Sequence, residues 1–434
     1  LVLVLGEGSK LRMGKEVTGV SEPFKIPVGE RFIGRMVTAL GDPCDQRGEI
    51  EADDHLPVFR DAPPITSRGP VDKFLPTGTK MVDIFMPLAE GQRLLLLGDR
   101  MTGKTAIGID AIINQRGRDV VCIYCAVGKS LSALEKATAA LHEAGALAYT
   151  SIIIATDASP VGEQFLVPFA AASMGDYFSS KGRNVLIVYD DLTKHAWAYR
   201  QLSLLLDRPP GREAYPGDIF YVQTQLMERA GKFNPEHGDG SMTFLGIAET
   251  QQGDLTGYIP SNLSSMCDGQ VCLNSTMFAE GFRPAIDLTM SLSIIGARAQ
   301  PPIVRALVRT LRADFARYNE VIKLSKLQSG LSGEAAKLVR RGEAITSMLR
   351  QGQYAPVSMA EEVLLLYALD RGLLMDTTEE QKTVFRKEIY GFACQQDQAL
   401  IDEIATKREL TPAVEKGLGD VMTAFFRSTS STGA

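Results

Sequence analysis

The sequence predicts a multidomain chain: a small, incomplete all-β unit first, then a central α/β domain on a parallel sheet, then a helical domain. Three observations carry this expectation. Short apolar runs broken by turn residues occupy the segment up to about residue 65. Apolar runs alternate with longer helical stretches from 77 to 300, and after Pro301-Pro302 the apolar spacing changes to that of a helix.

In chain order, Phe24, Ile26 and Val28 alternate, Phe32-Ile33 and Met36-Val37 follow as strand-like pairs, and Gly41-Asp42-Pro43 marks a turn. The chain starts at Leu1 without a methionine and runs directly into strand-like Val2-Leu3-Val4-Leu5, so a missing natural N-terminus is expected. Asp61 to Pro76, with Pro63, Pro64, Pro70 and Pro76, has the composition of a linker. Arg93–Gly98, Val120–Val127, Ser151–Ala155, Val185–Tyr189 and Phe244–Ile247 are the candidate strands of the central domain. Their alternation with helices implies a parallel sheet covered on both faces. Ile303, Leu307, Leu311 and Phe315 then recur every four residues, and Ser358-x-x-Glu361 ahead of Val363 predicts a capping box. The polar tail Ser428 to Ala434 is expected to fray. Units are therefore expected at 1–68, 69–300 and 301–434.

Composition narrows the function classes. With 45% apolar and 23% charged residues and a formal charge of −6, the chain reads as globular and lacks the basic excess of a dedicated nucleic-acid binder. No apolar run reaches the ~20 residues that cross a bilayer, so membrane contact is expected only through other chains. The six cysteines (44, 122, 125, 267, 272, 394) lack disulfide or zinc spacing and read as reduced thiols. Cys122 and Cys125 fall inside one apolar run, where a strand turns them to opposite faces. The four histidines show no ligand spacing.

The chemistry concentrates in Gly98-Asp99-Arg100-Met101-Thr102-Gly103-Lys104-Thr105, which fits G-x-x-x-x-G-K-[ST], follows the apolar strand Arg93–Leu97 and opens a helix at Ala106. Glycines let backbone N–H groups curl around phosphates, Lys104 supplies a point charge, and the Thr105 hydroxyl can ligate Mg²⁺. This pattern predicts binding of a magnesium-complexed nucleoside triphosphate, ATP first. A second element is an apolar strand ending in aspartate, which Val185–Asp190 supplies; Asp190 would hold the magnesium, with Asp191 ranked second. Hydrolysis also needs a carboxylate to orient water. At the corresponding strand end stands Lys129, and a lysine cannot do this, so binding without turnover is expected at this chain's own site.

From about residue 15 to 425 the chain resembles the alpha subunits of F-type ATP synthases. The likeness rests on the P-loop, on Tyr189-Asp190-Asp191-Leu192, Ala198-Tyr199-Arg200-Gln201 and the run from Arg208 to Asp218, and on Tyr258-Ile259-Pro260, Asp268-Gly269-Gln270, Arg283-Pro284-Ala285 and Gln351-Gly352-Gln353-Tyr354. It implies an N-terminal β-barrel, here incomplete, and a ring of three alpha and three beta subunits around a gamma rotor shaft, touched by a peripheral stalk or delta-type subunit. It further implies a location peripheral to an energy-transducing membrane, on the cytoplasmic face in a bacterium or the matrix or stroma side in an organelle. By position, Phe278, Arg283, Gln351 and Gln353 match residues around the nucleotide's base, alongside Gly98 to Ala106. Bound ATP or ADP with Mg²⁺ at a non-catalytic site is the implied cofactor set. Lys129 stands where the family's alpha chains have glutamine and its beta chains glutamate.

Several positions depart from the family. Ser265 and Ile294 match residues that face the neighbouring beta site, but position 294 carries an arginine finger in the family. Arg298 is the nearby substitute cation, or the member of a structural ion pair. Met101 replaces a glutamine, and the rotor-facing loop Leu327 to Ser332 lacks its carboxylates. The main reading is an alpha-type subunit; a degenerate pseudo-subunit that assembles but turns over poorly is the alternative. A self-sufficient hexameric ATPase would need a glutamate at 129 and an arginine at 294, and an RNA translocase would need basic pore loops.

Overall fold

The computed structural model describes residues 12–16, 18–325 and 333–431. Expectations for Val2–Leu5, for the loop 327–332 and for the last three residues lie outside them. The chain opens with β1 (Lys25–Val28), β2 (Met36–Thr38) and β3 (Asp54–Pro57). Strands β1 and β3 pair antiparallel into a two-stranded sheet that is consistent with an incomplete barrel. Phe32-Ile33 is not a strand: Glu30–Phe32 forms a turn of 3-10 helix that buries the Phe32 ring. Strand β2 leaves the small sheet and pairs parallel with Ile152–Ile154 on the edge of the large one.

The central segment runs α1 (Lys80–Phe85), β4 (Arg93–Gly98), α2 (Lys104–Ile113), β5 (Val120–Lys129), α3 (Leu131–Glu143) and β6 (Thr150–Thr156). It continues with α4 (Val161–Ser180), β7 (Asn184–Asp190), α5 (Leu192–Leu205), α6 (Ile219–Met227) and β8 (Gly231–Lys232). Then come β9 (Ser241–Glu249), α7 (Tyr258–Met266), β10 (Gly269–Leu273), α8 (Ser275–Ala279) and β11 (Leu292–Ser293). All five expected strands form, and β10, too short and mixed to stand out in the sequence, joins them. The order β11-β10-β4-β9-β7-β5-β6-β2 is parallel except for β11 at the edge, with β8 antiparallel on the start of β9.

Period-two alternation sorts this sheet onto two cores. Leu94, Leu96, Cys122, Tyr124, Leu186 and Val188 point to the face covered by α2 and α3, whereas Leu95, Leu97, Ile123, Cys125, Ile187 and Tyr189 point to the face under α4 and α5. Cys122 and Cys125 thus part company as the strand reading requires, and every described cysteine is free.

The end of the chain is helical: α9 (Pro302–Leu307), α10 (Leu311–Ser325), α11 (Gly333–Leu349), α12 (Met359–Asp370), α13 (Glu379–Gln396), α14 (Gln398–Lys407) and α15 (Pro412–Ser431). Ile303, Leu307, Leu311 and Phe315 are all buried, although they fall on two helices. Ser358 caps α12 through the Glu361 N–H without the reciprocal bond to the Glu361 side chain. The true capping box lies at Thr378 and Gln381. Rather than fraying from Ser428, α15 remains helical through Ser431. No helix among the described residues is long and apolar enough to cross a membrane.

His195, on α5, is fully buried and stacks on Phe165 with ring centroids 5.3 Å apart. Burial drives its pKa down to about 4. Below its ordinary value near 6.5 the unfolded chain takes up a proton that the folded chain refuses, so stability falls as pH drops through that window. The expected contribution is on the order of 3 kcal/mol between pH 7 and pH 4. In urea melts across this range, His195→Phe should lose less stability than wild type by about that amount; parallel curves would contradict the assignment.

Candidate functional site

Strand β4 is buried along Leu94–Leu97 and delivers Gly98 to the carboxyl edge of the sheet. Gly98 has φ 156° and Gly103 has φ 101°, and a Cβ on Gly98 would lie 2.8 Å from the Leu273 carbonyl oxygen. Only glycine fits that first turn. Lys104 curls back, its Nζ donating to the Gly98 and Asp99 carbonyls at 2.7 and 2.6 Å. Burial lowers its pKa, opposed by the charges of Glu249, Asp191 and Asp190. The Asp99 carboxylate accepts from Thr250 Oγ1 (2.7 Å) and the Gly253 N–H (2.9 Å), which fastens the loop to the segment after β9. Thr102 Oγ1 closes the turn on the Asp99 carbonyl at 2.8 Å. Arg100 is exposed, 3.5 Å from Glu249 Oε1, and Met101 is almost fully exposed.

Beside this loop lies Asp190, at the end of β7 and without solvent exposure. Its Oδ2 accepts from Thr105 Oγ1 at 2.8 Å and from the Tyr124 hydroxyl at 2.9 Å, and its Oδ1 stands 2.5 Å from Lys129 Nζ. Asp191 instead caps α5, accepting from the Lys194 N–H at 2.8 Å, and is 3.8 Å from Lys129. Of the two aspartates the alternatives left open, Asp190 is the one joined to Thr105. Burial raises the Asp191 carboxyl to about 6, against the pull of Lys129. Burial also opposes the Lys129 ammonium, yet Asp190 and Asp191 outweigh it and hold its pKa above the lysine norm.

Two adjoining cavities share Gly103, Ala106, Phe278 and Gln353. One, of about 380 Å³, is walled by Lys104, Thr105, Lys129, Asp190 and Glu249. The other, of about 230 Å³, is lined by Ile107, Asp110, Leu273, Arg283 and Gln351. The Arg283 guanidinium lies 4.7 Å above the Phe278 ring. The cleft therefore has a charged end at the helix N-terminus and a mainly apolar end, the two-part form that a phosphorylated heterocycle needs.

Three residues of the site were missed in the sequence: Glu249 and Asp110 line the cavities, and Tyr124 holds Asp190 from behind. Glu249 ends β9 beside the P-loop; a carboxylate at the carboxyl end of a parallel strand was the available signal. Tyr124 and Asp110 carried none, being a strand tyrosine and a helix aspartate among apolar neighbours. Asp110 is buried with Oδ1 unpaired, and burial raises it to about 7.

Ser265 and Ile294 lie elsewhere. The Ile294 N–H bonds the Asp268 carbonyl and the Asp268 N–H bonds the Arg93 carbonyl, which puts both at the opposite end of β4 from Gly98. Along the strand that is roughly 15 Å. Ser265 is exposed with its hydroxyl on the Asn262 carbonyl, and Ile294 is 73% exposed. Arg298 is exposed and makes no ion pair among the described residues.

Residues 78–293 match the nucleotide-binding domain of the ATP synthase alpha/beta family, and 300–425 match the C-terminal domain of the ATP synthase alpha/beta chain. Over 424 residues the sequence is 38% identical to ATP synthase subunit alpha of Petrotoga mobilis, covering 98% of this chain and 84% of that protein. It is 41% identical over 427 residues to ATP synthase subunit alpha 1 of Nitrosomonas eutropha and to subunit alpha of Nitrosomonas europaea, covering 96% of this chain and 83% of each. The chain belongs to the ATP synthase alpha subunit family.

In this alpha-family chain Gln351 locks the helical domain to the cleft. Its Oε1 accepts from the Lys80 N–H at 3.0 Å, and its Nε2 donates to the Gly78 and Ala355 carbonyls at 2.6 and 2.9 Å. Gln351→Ala strips the buried Gly78 turn of these partners and should cost about 2 kcal/mol in urea unfolding. A change within the scatter of the melts would show that water replaces the amide.

Proposed function

We propose that this chain is the non-catalytic, ATP-binding alpha-type subunit of a rotary, proton-translocating F-type ATP synthase, alternating with beta subunits around a gamma shaft. The observation that carries the reading is Lys129, which fills the strand end where a water-orienting carboxylate would stand and ties itself to Asp190. ATP or ADP would lie with its phosphates along Gly98 to Ala106 and its base between Phe278, Arg283, Gln351 and Gln353. The Thr105 hydroxyl and Asp190 carboxylate are the groups that would hold Mg²⁺, although the Lys129 ammonium already stands against that carboxylate. Lys104 would trade its two carbonyl partners for phosphate oxygens. Glu249 is the one carboxylate that could contest the non-catalytic role, but Arg100 stands beside it. Ser265 and Ile294 would face the neighbouring beta site, and the complex would sit on the cytoplasmic, matrix or stromal side of its membrane through other subunits.

Purification of the native complex, with its subunits and bound nucleotide identified, tests this directly. Beta-like and gamma-like partners and ATP on the alpha chain are expected. The purified chain should bind ATP without hydrolysing it, and Lys104→Met should weaken binding by about a hundredfold or more through loss of the phosphate charge. Rapid turnover by the lone chain, lost in Glu249→Gln, would instead make it an ATPase in its own right.

Ile294 distinguishes a working subunit from a degenerate one. Installing the cation with Ile294→Arg in the reconstituted ring should raise ATP turnover, by as much as on the order of 10³ if no other cation stands in. Unchanged turnover would mean that residue 294 does not limit the rate.

A further inference from the structure

Strand β5 ends in an irregularity. Its register against β6 passes from Val127 paired with Ala155 to Lys129 paired with Thr156, leaving Gly128 as an extra residue with φ 59°. Such a bulge re-aims the side chain that follows it. Here it turns Lys129 into the phosphate-side cavity, with its ammonium against the Asp190 carboxylate.

That contact occupies the group on which a metal would depend. Both Asp190 oxygens are engaged, one by Lys129 and the other by Thr105 and Tyr124. A dication drawn to this carboxylate would meet an ammonium already beside it, and like charges in a buried pocket repel strongly. The charge count points the same way. Of the charged groups that wall the cavity, the carboxylates of Asp190, Asp191 and Glu249 are opposed by Lys104 and Lys129, and a neutral residue at 129 would raise the negative excess from one charge to two. The larger that excess, the more a polyanionic ligand depends on a metal to enter, and Lys129 halves it. An ammonium also has three donors, so Lys129 can keep Asp190 and still offer a proton to a phosphate oxygen.

We propose that Lys129 is a built-in cation of the nucleotide site, so that this chain binds ATP and ADP with little dependence on Mg²⁺. The inference rests on the nucleotide-binding reading above and concerns what neutralises the phosphates there.

Equilibrium dialysis of radiolabelled ATP against the full chain, in excess Mg²⁺ and in excess EDTA, tests it, with Lys129→Gln and Lys129→Arg compared and their folding checked by circular dichroism. Wild type and Lys129→Arg should lose no more than about threefold in affinity when Mg²⁺ is removed, whereas Lys129→Gln should lose roughly tenfold or more. A wild-type chain that binds ATP only with Mg²⁺, or a Lys129→Gln variant with the wild-type response, would overturn the inference and leave the nucleotide site standing. Absence of ATP binding in both media would overturn the nucleotide-binding reading itself.

Discussion

The structure depends on a carboxylate that cannot reach water. Asp190 ends a strand in the middle of a parallel sheet, with other strands on both sides and helices on both faces. An ionised group there is tolerable only if its neighbours supply hydrogen bonds and charge. They come from three separate segments: Thr105 from the first turn of α2, Tyr124 from the interior of β5 and Lys129 from its bulged end. The requirement thereby couples the P-loop, the adjacent strand and the strand that carries the acid. A change in any one partner is felt by the other two, because the buried charge must be shared out among those remaining.

The same coupling extends to the helical domain. Gln351 bonds the Gly78 turn, and Lys80 in α1 donates to the Met348 and Arg350 carbonyls at the end of α11. The core on the α2 side of the sheet runs without a break into Ile303, Val363 and Leu364. The apolar end of the cleft is therefore a seam between two units, and its width is set by how the helices dock. A pocket at such a seam is held by backbone carbonyls as much as by side chains, which is why Gln351 and Gln353 belong to the cleft although some 250 residues of sequence separate them from the P-loop.

Much of this was legible in the sequence, and the part that was not has a common cause. Strands buried on both faces announce themselves as apolar runs, so β4, β5, β6, β7 and β9 were readable; β10, five residues with a glycine and a glutamine, was not. The P-loop was readable because its chemistry is local. Tyr124 was invisible because its role comes from strand register, which sets it beside Val188 and within reach of Asp190. Position 129 was legible as the wrong residue for hydrolysis, but that its ammonium lies against Asp190 depends on the bulge at Gly128, which no spacing rule foretells. The period-four run after residue 300 gave the right buried face and missed the break between α9 and α10, since burial continues across a break that backbone hydrogen bonds do not.

Ile294 and Lys129 stand at opposite ends of the sheet, one on an apolar edge and the other in a charged cavity. On the β11 edge, Met290, Leu292 and Ile294 alternate and are 48, 56 and 73% exposed. An apolar row of this kind on an unpaired edge is costly in water and invites association. That suits a face made for contact with another chain. At the nucleotide end, by contrast, an ammonium stands inside the cavity against the Asp190 carboxylate. The two ends of the sheet therefore differ in kind: an exposed apolar edge at one, and at the other a cation held within the pocket by the carboxylates it faces.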